Sequence, residues 1–469
     1  MKSSGLRFLF ALGMAICLST SAGGALLQAH APDLGVQEHF RAALQAQNSG
    51  RLDVAVREYQ VVLQLQPRLA EAYANLGLVY YLQSKFKESS AALARAAALK
   101  PGLRGTDLFL GMDYVKLHRS RDAVQYLTRA AEVETTNRQA QLWLGTALWN
   151  SGQRAAALRQ LRKAARLFPT DVDTLYSLGE AYQKSAERQL EKLPTKYVQL
   201  LRKVAYPQKW KDSEAAVPGK PRSNPYTQAL TDFDRKDYGA AEEKLVAFLA
   251  MNPKSAEARY LLAKTYQRLS LAVLSRMFQV DPNSYRVHQL LGRIYEDRWQ
   301  NDKALAEYKT TEGMRPALPG LHLAIGEVLW REGQLDPALA EFEAEIKINP
   351  YDARPYAEMG TVLVKKHESA RAMPYLTRAI QLQPDMLLVH KQLGIAYYQQ
   401  KDFARAEQEL KQALPIDHDG SVHYLLGAVY RASGRLKEAK AEMEEARLIQ
   451  TTSERHAEMK TEDTADSKP

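Results

Sequence analysis

The chain has 469 residues and a single cysteine, Cys17, with 64 Lys and Arg against 54 Asp and Glu, a formal charge of +10. One cysteine excludes an internal disulfide framework and a metal centre built on several thiolates. The positive balance favours solubility and biases the chain toward acidic partners, and it says nothing of fold.

Residues 1–31 stand apart from the rest. Lys2 and Arg7 precede the apolar run FLFALGMAICL, and the small residues STSAGGA follow it. That is the three-part layout of a secretory signal peptide. The apolar run is too short for an ordinary membrane span. Ala22 and Ala31 are candidate cleavage ends, with Pro32 making the second the poorer. Ile16 before Cys17 is too bulky for a lipoprotein signal. The expectation is a secreted or periplasmic chain, free of cysteine once the signal is cleaved, with no stable membrane insertion. The alternative is an uncleaved N-terminal anchor.

A repeat begins beyond this segment. In 70–103, Tyr73, Leu76, Gly77 and Tyr80 fall at i, i+3, i+4 and i+7, one face of a helix. A break at 83–85 follows, then Leu93, Ala96 and Ala97 resume the helical period. Pro101 has no amide hydrogen and ends the second helix. Neither helix can bury its apolar face alone, whereas stacked copies can. Gly77 is needed because a side chain there would hold the two helices apart.

Shifted by 34 residues, the grammar returns. Units start at Val36, Ala70, Arg104 and Arg138, and again at Tyr285, Pro319, Ala353, Leu387 and about Gly420. Their small-residue markers include Gly111, Gly145, Gly292, Gly326, Gly360, Gly394 and Gly427. The order of aromatic, Leu-Gly, Tyr, Ala, large apolar and Pro resembles the tetratricopeptide repeat family. The resemblance implies an all-α superhelical solenoid of about eleven to twelve helix pairs that binds protein or peptide segments without catalysis.

The pattern breaks in the middle. A fifth unit opens with Leu175, Leu178, Gly179 and Tyr182, then loses its turn. Between 183 and 222 ten basic residues face four acidic ones, and 207–225 reads as a loop. Lys196, Arg202, Lys203, Lys209 and Lys211 form a possible basic patch that would suit an acidic polymer. Residues 260–283 hold a helix pair with almost no turn, so this middle region reads as two related short units, the first decayed. A weak repeat with Ala241, Leu245, Phe248 and Pro253 lies between them. The expected organisation is a repeat block over 36–182, an irregular linker over 183–222, a second block over 223–453 and a disordered tail over 454–469.

Sites of chemistry are few. No G-x-S-x-G, H-E-x-x-H or P-loop motif occurs, so no enzyme activity, cofactor or metal is expected. His39, His288, His322, His390 and His423 share the fourth repeat position. They read as rings filling the slot of Tyr73 and Tyr356 rather than as ligands, because equivalent positions on successive helices lie about a helix diameter apart. Some family members hold a C-terminal carboxylate in a clamp of Lys, Asn and Arg. Of the matching positions Phe40, Leu44, Asn75, Gly105 and Phe109, only Asn75 is compatible.

The resemblance implies a concave stripe at the second, fifth, ninth and twelfth positions of each first helix. Ala74, Leu78 and Tyr81 occupy it, then Leu108, Met112 and Val115, then Leu142, Thr146 and Trp149. Further along, Gln289, Arg293 and Glu296 look solvated, with apolar character returning at Leu323 and Trp330. The expected partner-binding residues are Tyr81, Met112 and Trp149, with Leu78, Thr146 and Trp330. The leading function is a scaffold holding a protein or peptide segment in this groove. The alternative is a periplasmic part of envelope assembly or exopolysaccharide export that binds polymer or the export machinery. Nucleic acid is not an expected partner.

Overall fold

The structure is a computed structural model that describes residues 31–193 and 224–465. Twenty-two α-helices and one short 3-10 turn make up the described residues, with no strand among them. In the first part of the chain these are α1 (Ala31–Asn48), α2 (Leu52–Leu65), α3 (Ala70–Leu82), α4 (Phe86–Leu99), α5 (Thr106–Lys116), α6 (Ser120–Val133), α7 (Arg138–Asn150), α8 (Arg154–Leu167), α9 (Val172–Glu191), α10 (Pro225–Asp234), α11 (Tyr238–Met251) and α12 (Ala256–Val280). There follow α13 (Tyr285–Asp297), α14 (Asn301–Met314), α15 (Leu321–Arg331), α16 (Leu335–Ile348), α17 (Ala353–Lys365), α18 (Ser369–Leu382), α19 (Leu387–Gln399), α20 (Phe403–Ala413), α21 (Ser421–Ala432) and α22 (Leu436–Ala465). The fold is the all-α solenoid of helix pairs that the 34-residue period predicts.

Within a repeat the two helices meet where the glycine lies. A Cβ placed on Gly77 would stand 2.6 Å from Leu93 Cγ, and one on Gly145 would stand 2.7 Å from Leu161 Cδ2. Contacts that short are repulsive, so only glycine lets the large residue of the second helix settle against the first. Each such leucine is buried, which contributes about 1.5–3 kcal/mol per side chain. The turn between the helices puts one residue at positive φ: Gly50, Ser84, His118 and Gly152, then Trp299, Gly333, His367, Lys401 and Gly434.

The fifth repeat is built differently. Its glycine, Gly179, packs against Leu274, with a Cβ placed there 2.6 Å from Leu274 Cδ2. Ala186, where the turn residue would fall, sits in mid-helix instead. Good helix formers between 183 and 191 carry α9 straight on. The 20-residue α9 and the 25-residue α12 therefore run alongside each other as one long pair. The rings of Tyr182 and Tyr266 lie 6.1 Å apart, and Arg259 reaches Gln189 Oε1 at 3.3 Å. The reading of 260–283 as a separate short unit is thus corrected: its two halves are one helix, and its second half completes the fifth repeat.

The helices between α9 and α12 sit on the preceding repeat. Tyr226, Ala229 and Leu230 of α10 and Leu245 of α11 share a core with Leu158 and Leu161 of α8. Arg162 of α8 pairs with the buried Glu242 of α11 and donates to the Tyr182 hydroxyl at 2.8 Å.

The chain divides into two compact units, Met1–Val287 and His288–Pro469. Helices α10 to α12 belong to the first, and most of the linker expected over 183–222 lies outside the described residues. Residues 1–30 of the signal segment and all five residues of the basic patch, Lys196, Arg202, Lys203, Lys209 and Lys211, lie outside the described residues. The tail expected to be disordered is helical as far as Ala465, continuing α22 through the helix formers Ala457, Glu458, Met459 and Lys460.

Candidate interaction surface

In the first unit, helices α3, α5 and α7 are the first helices of successive repeats, and they carry the expected stripe. The structure separates its members. Leu78, Tyr81 and Trp149 are half-buried, and Thr146 is exposed, its hydroxyl bonded to Leu142 O at 3.1 Å. Met112 is only 4% exposed, in one core with Leu108, Val115, Leu144 and Leu148. Its assignment to the groove is corrected. A middle helix is flanked on both sides, and the flexible thioether fills the gap between its neighbours.

The accessible residues belong to a wider aromatic run. Tyr81 packs 5.5 Å from Phe86 and 5.3 Å from Phe109, centroid to centroid. The Lys116 ammonium stands 6.0 Å from the Phe86 ring and 5.9 Å from the Trp143 ring. Arg154 lies 5.9 Å over Trp149. Tyr81, Phe109, Trp143 and Trp149 all rest on the same core cluster while remaining partly open. Phe109 and Trp143 are not among the anchors expected from the sequence, although they repeat the position of Asn75 at 34-residue intervals. Aromatic side chains of this size, apolar in body and open at one face, suit the anchoring of a partner.

Behind the aromatic run lies a buried acid. Asp113 is 0% exposed, and neither carboxylate oxygen has a hydrogen-bond donor among the described residues. Ser89, which faces it from α4, donates instead to Gly77 O at 2.8 Å. Burial pushes the Asp113 carboxyl up to about 8. Burial, with Asp113 beside it, also raises the Tyr81 phenol. Asn75 is buried too, with both amide atoms lacking a partner in the described chain.

The second unit presents a charged stripe. Arg331 donates to Glu296 at 2.7 Å, and its guanidinium lies 5.2 Å over the exposed Trp299. Arg354 is held by Asp352 at 2.6 Å. Burial, with Glu358 and Glu296 nearby, pushes Glu327 up to about 7. Trp330 is half-buried, rests on the core of this unit, and has the Lys365 ammonium 5.4 Å from its ring.

The histidines prove to be latches between the two helices of a repeat. Nδ1 of His39 donates to Glu58 at 2.7 Å, and Nδ1 of His288, His322, His390 and His423 to Glu307, Glu341, Glu409 and Glu442 at 2.6 Å. Each carboxylate stands 19 residues after its histidine, a spacing visible in the sequence. Among the described residues no group of three or more His, Cys, Asp or Glu could hold a metal ion, and no helix is long and apolar enough to cross a membrane.

Comparison with known proteins follows the same repeats. Family models of the tetratricopeptide repeat match residues 48–84, 110–172, 144–190, 226–272, 290–353, 363–429 and 420–447. A search of curated proteins gives no match. Among solved structures, MamA from Desulfovibrio magneticus RS-1 is 18% identical, covering 36% of this chain and 96% of its own, with a TM-score of 0.34. YrrB, described as a TPR protein with an unusual peptide-binding site, is 26% identical over 33% of this chain and 82% of its own, with a TM-score of 0.30. The Cut9–Hcn1 structure is 15% identical over 90% of this chain and 88% of its own, with a TM-score of 0.34. At such TM-scores these likenesses carry no argument about what the chain binds.

Proposed function

Because this chain belongs to the tetratricopeptide repeat family, a class of protein-interaction scaffolds, we propose that it holds an apolar segment of a protein partner across α3, α5 and α7 without catalysing a reaction. The observation that carries this reading is the run of half-buried aromatics Tyr81, Phe109, Trp143 and Trp149 on three successive first helices. Solvent-facing helix positions are ordinarily polar, and large aromatics left partly open are the usual anchors of interfaces. Substituting Tyr81 and Trp149 together by Ala should weaken capture of the main partner by about 2 kcal/mol or more per anchor, with helicity unchanged. A double variant that keeps its partners but melts much earlier would assign both rings to the core alone and end the proposal.

Export to an extracytoplasmic compartment is part of the same proposal, on the strength of the layout of residues 1–31. N-terminal sequencing of the mature protein tests it: a chain beginning at Met1 removes the cleaved signal.

A further inference from the structure

Resting on that groove reading, we infer that the groove is set by a proton: Asp113 keeps the aromatic run in its binding arrangement only while its carboxyl is protonated. Four acids are buried among the described residues, and three of them are engaged. Glu242 pairs with Arg162, Glu345 accepts from Gly320 N at 2.7 Å, and Asp417 accepts from Val422 N at 3.0 Å and His423 N at 2.9 Å. Asp113 is 0% exposed, and neither of its oxygens has a donor among the described residues. A carboxylate ionised in that position gives up water and gains nothing in return, which strongly favours the neutral acid.

The helices packed around Asp113 bring it no compensating charge. From α3 it meets Tyr81, and from α4 Ser89. The single hydrogen of the Ser89 hydroxyl goes to Gly77 O at 2.8 Å. Glu71, the one charged residue of α3, is held by Lys100, and Arg138, the one charged residue of α7, by Asp171. Lys87, Glu88 and Arg95 of α4 are exposed, as are Arg121 and Glu132 of α6. Asp122 of α6 is held by Arg119, and Arg129 of α6 holds Asp107 of α5. Lys116 of α5 stands against Phe86 and Trp143.

With its proton, Asp113 donates to Ser89 Oγ while Ser89 keeps its bond to Gly77 O. Without it, either Ser89 turns its hydrogen to the carboxylate and abandons Gly77, or α5 draws away and admits water. Both outcomes act on the seam where α3, α4 and α5 meet. Tyr81 of α3 lies across that seam, 5.5 Å from Phe86 of α4 and 5.3 Å from Phe109 of α5. The anchors therefore lose their arrangement when the proton leaves. Burial raises the Asp113 carboxyl from 3.8 to about 8, so the groove is formed below that pH and released as the pH rises through it.

The test uses the full chain and an end-blocked peptide of Leu, Phe, Ser and Gly carrying tetramethylrhodamine, read by fluorescence anisotropy at about pH 6.5 and about pH 9.5. The peptide has no group that titrates in this range, so any change belongs to the protein. Its Kd should rise about ten-fold or more at the higher pH. Asp113→Asn, neutral throughout, should bind it equally at both, with circular dichroism confirming that each protein is folded. Acrylamide quenching of the tryptophan fluorescence, to which Trp143 and Trp149 contribute, should increase with pH in the wild type more than in Asp113→Asn, with no ligand present. The same Kd at both pH values, the same pH dependence in Asp113→Asn, or quenching that responds identically in the two proteins overturns the inference. Tyr81→Ala with Trp149→Ala separates the two readings. If that variant loses the peptide while the wild type binds it equally at both pH values, the groove stands and the proton control fails. If the variant keeps the peptide, or the wild type binds it at neither pH, the groove itself fails and the inference falls with it.

Discussion

The Ser270 hydroxyl donates to the carbonyl of Gly179 at 2.8 Å, the same bond that Ser89 makes to Gly77 at 2.8 Å inside an ordinary repeat. The first pair is separated by 91 residues and the second by 12, an excess of 79. The fifth repeat is therefore whole, with an insertion opened at its turn rather than a decayed second helix. Adding the excess also places Pro282 at the repeat-ending proline position and starts the next unit at Tyr285, in frame with those that follow.

Gly179 and Leu274 should be coupled as neighbours are. Gly179→Ala should destabilise the first unit by about 1–3 kcal/mol through overpacking, whereas an open helical glycine would gain about 1 kcal/mol from the change. Leu274→Ala should relieve that loss in the double variant. Thermal melts of the four proteins measure the coupling, and simple additivity would mean that the two residues do not meet.

The insertion is fastened by Arg162 and Glu242. The Glu242 side chain is 7% exposed and that of Arg162 is 29% exposed, so truncating one strands a charge that water reaches poorly. Glu242→Ala should cost about 2–3 kcal/mol, less than the loss from a fully buried pair because the guanidinium keeps some solvent and the Tyr182 hydroxyl. Hydrogen exchange should rise in α10 and α11 before it rises in α3 to α7. Uniform loss of protection would contradict a local fastening role.

Asp113 should tilt the stability of the first unit toward acid. Its carboxyl is raised from 3.8 to about 8, so the folded state holds a proton that the unfolded chain has already released. The stability tied to that proton is complete below about pH 4 and declines as the pH rises to about 8. Asp113→Asn should therefore melt closer to wild type at about pH 5 and above it at about pH 9. An unchanged difference between the two proteins across that range would show that Asp113 ionises freely.

His322 should act in the same direction in the second unit, through a different cause. Its Nδ1 donates to Glu341 at 2.6 Å and its Nε2 to Pro316 O at 3.1 Å, and only the imidazolium supplies both hydrogens. The hydrogen bond to Glu341 raises its pKa above 6.5 against the effect of burial, with Glu312 adding a smaller push. The resulting stability is present below pH 6.5 and lost as the pH rises through the folded value. His322→Tyr, the ring type that Tyr356 provides one repeat later, should flatten this dependence. Nuclear magnetic resonance titration of the imidazole reads the same quantity directly, and a midpoint below 6.5 would reverse the sign.

The repeating helix pair was legible in the sequence because its determinants are local. Gly77 and Leu93 sit in one 34-residue unit, and the contact between them is implied by helical period and a short turn. Tyr81 and Trp149 could likewise be placed on one stripe by counting positions. The partner of Gly179 was different. Leu274 is far along the chain, and nothing near Ala186 reveals whether the missing turn was lost or displaced by an insertion. Only three-dimensional packing decides which second helix fills the slot. The same holds for Met112 and Asp113, adjacent in sequence and both buried, one an apolar filler and the other an acid whose oxygens find no hydrogen-bond donor among the described residues. Periodicity assigns each a face of α5, but how deeply a face is covered depends on the helices on either side of it, and that is a property of the stack.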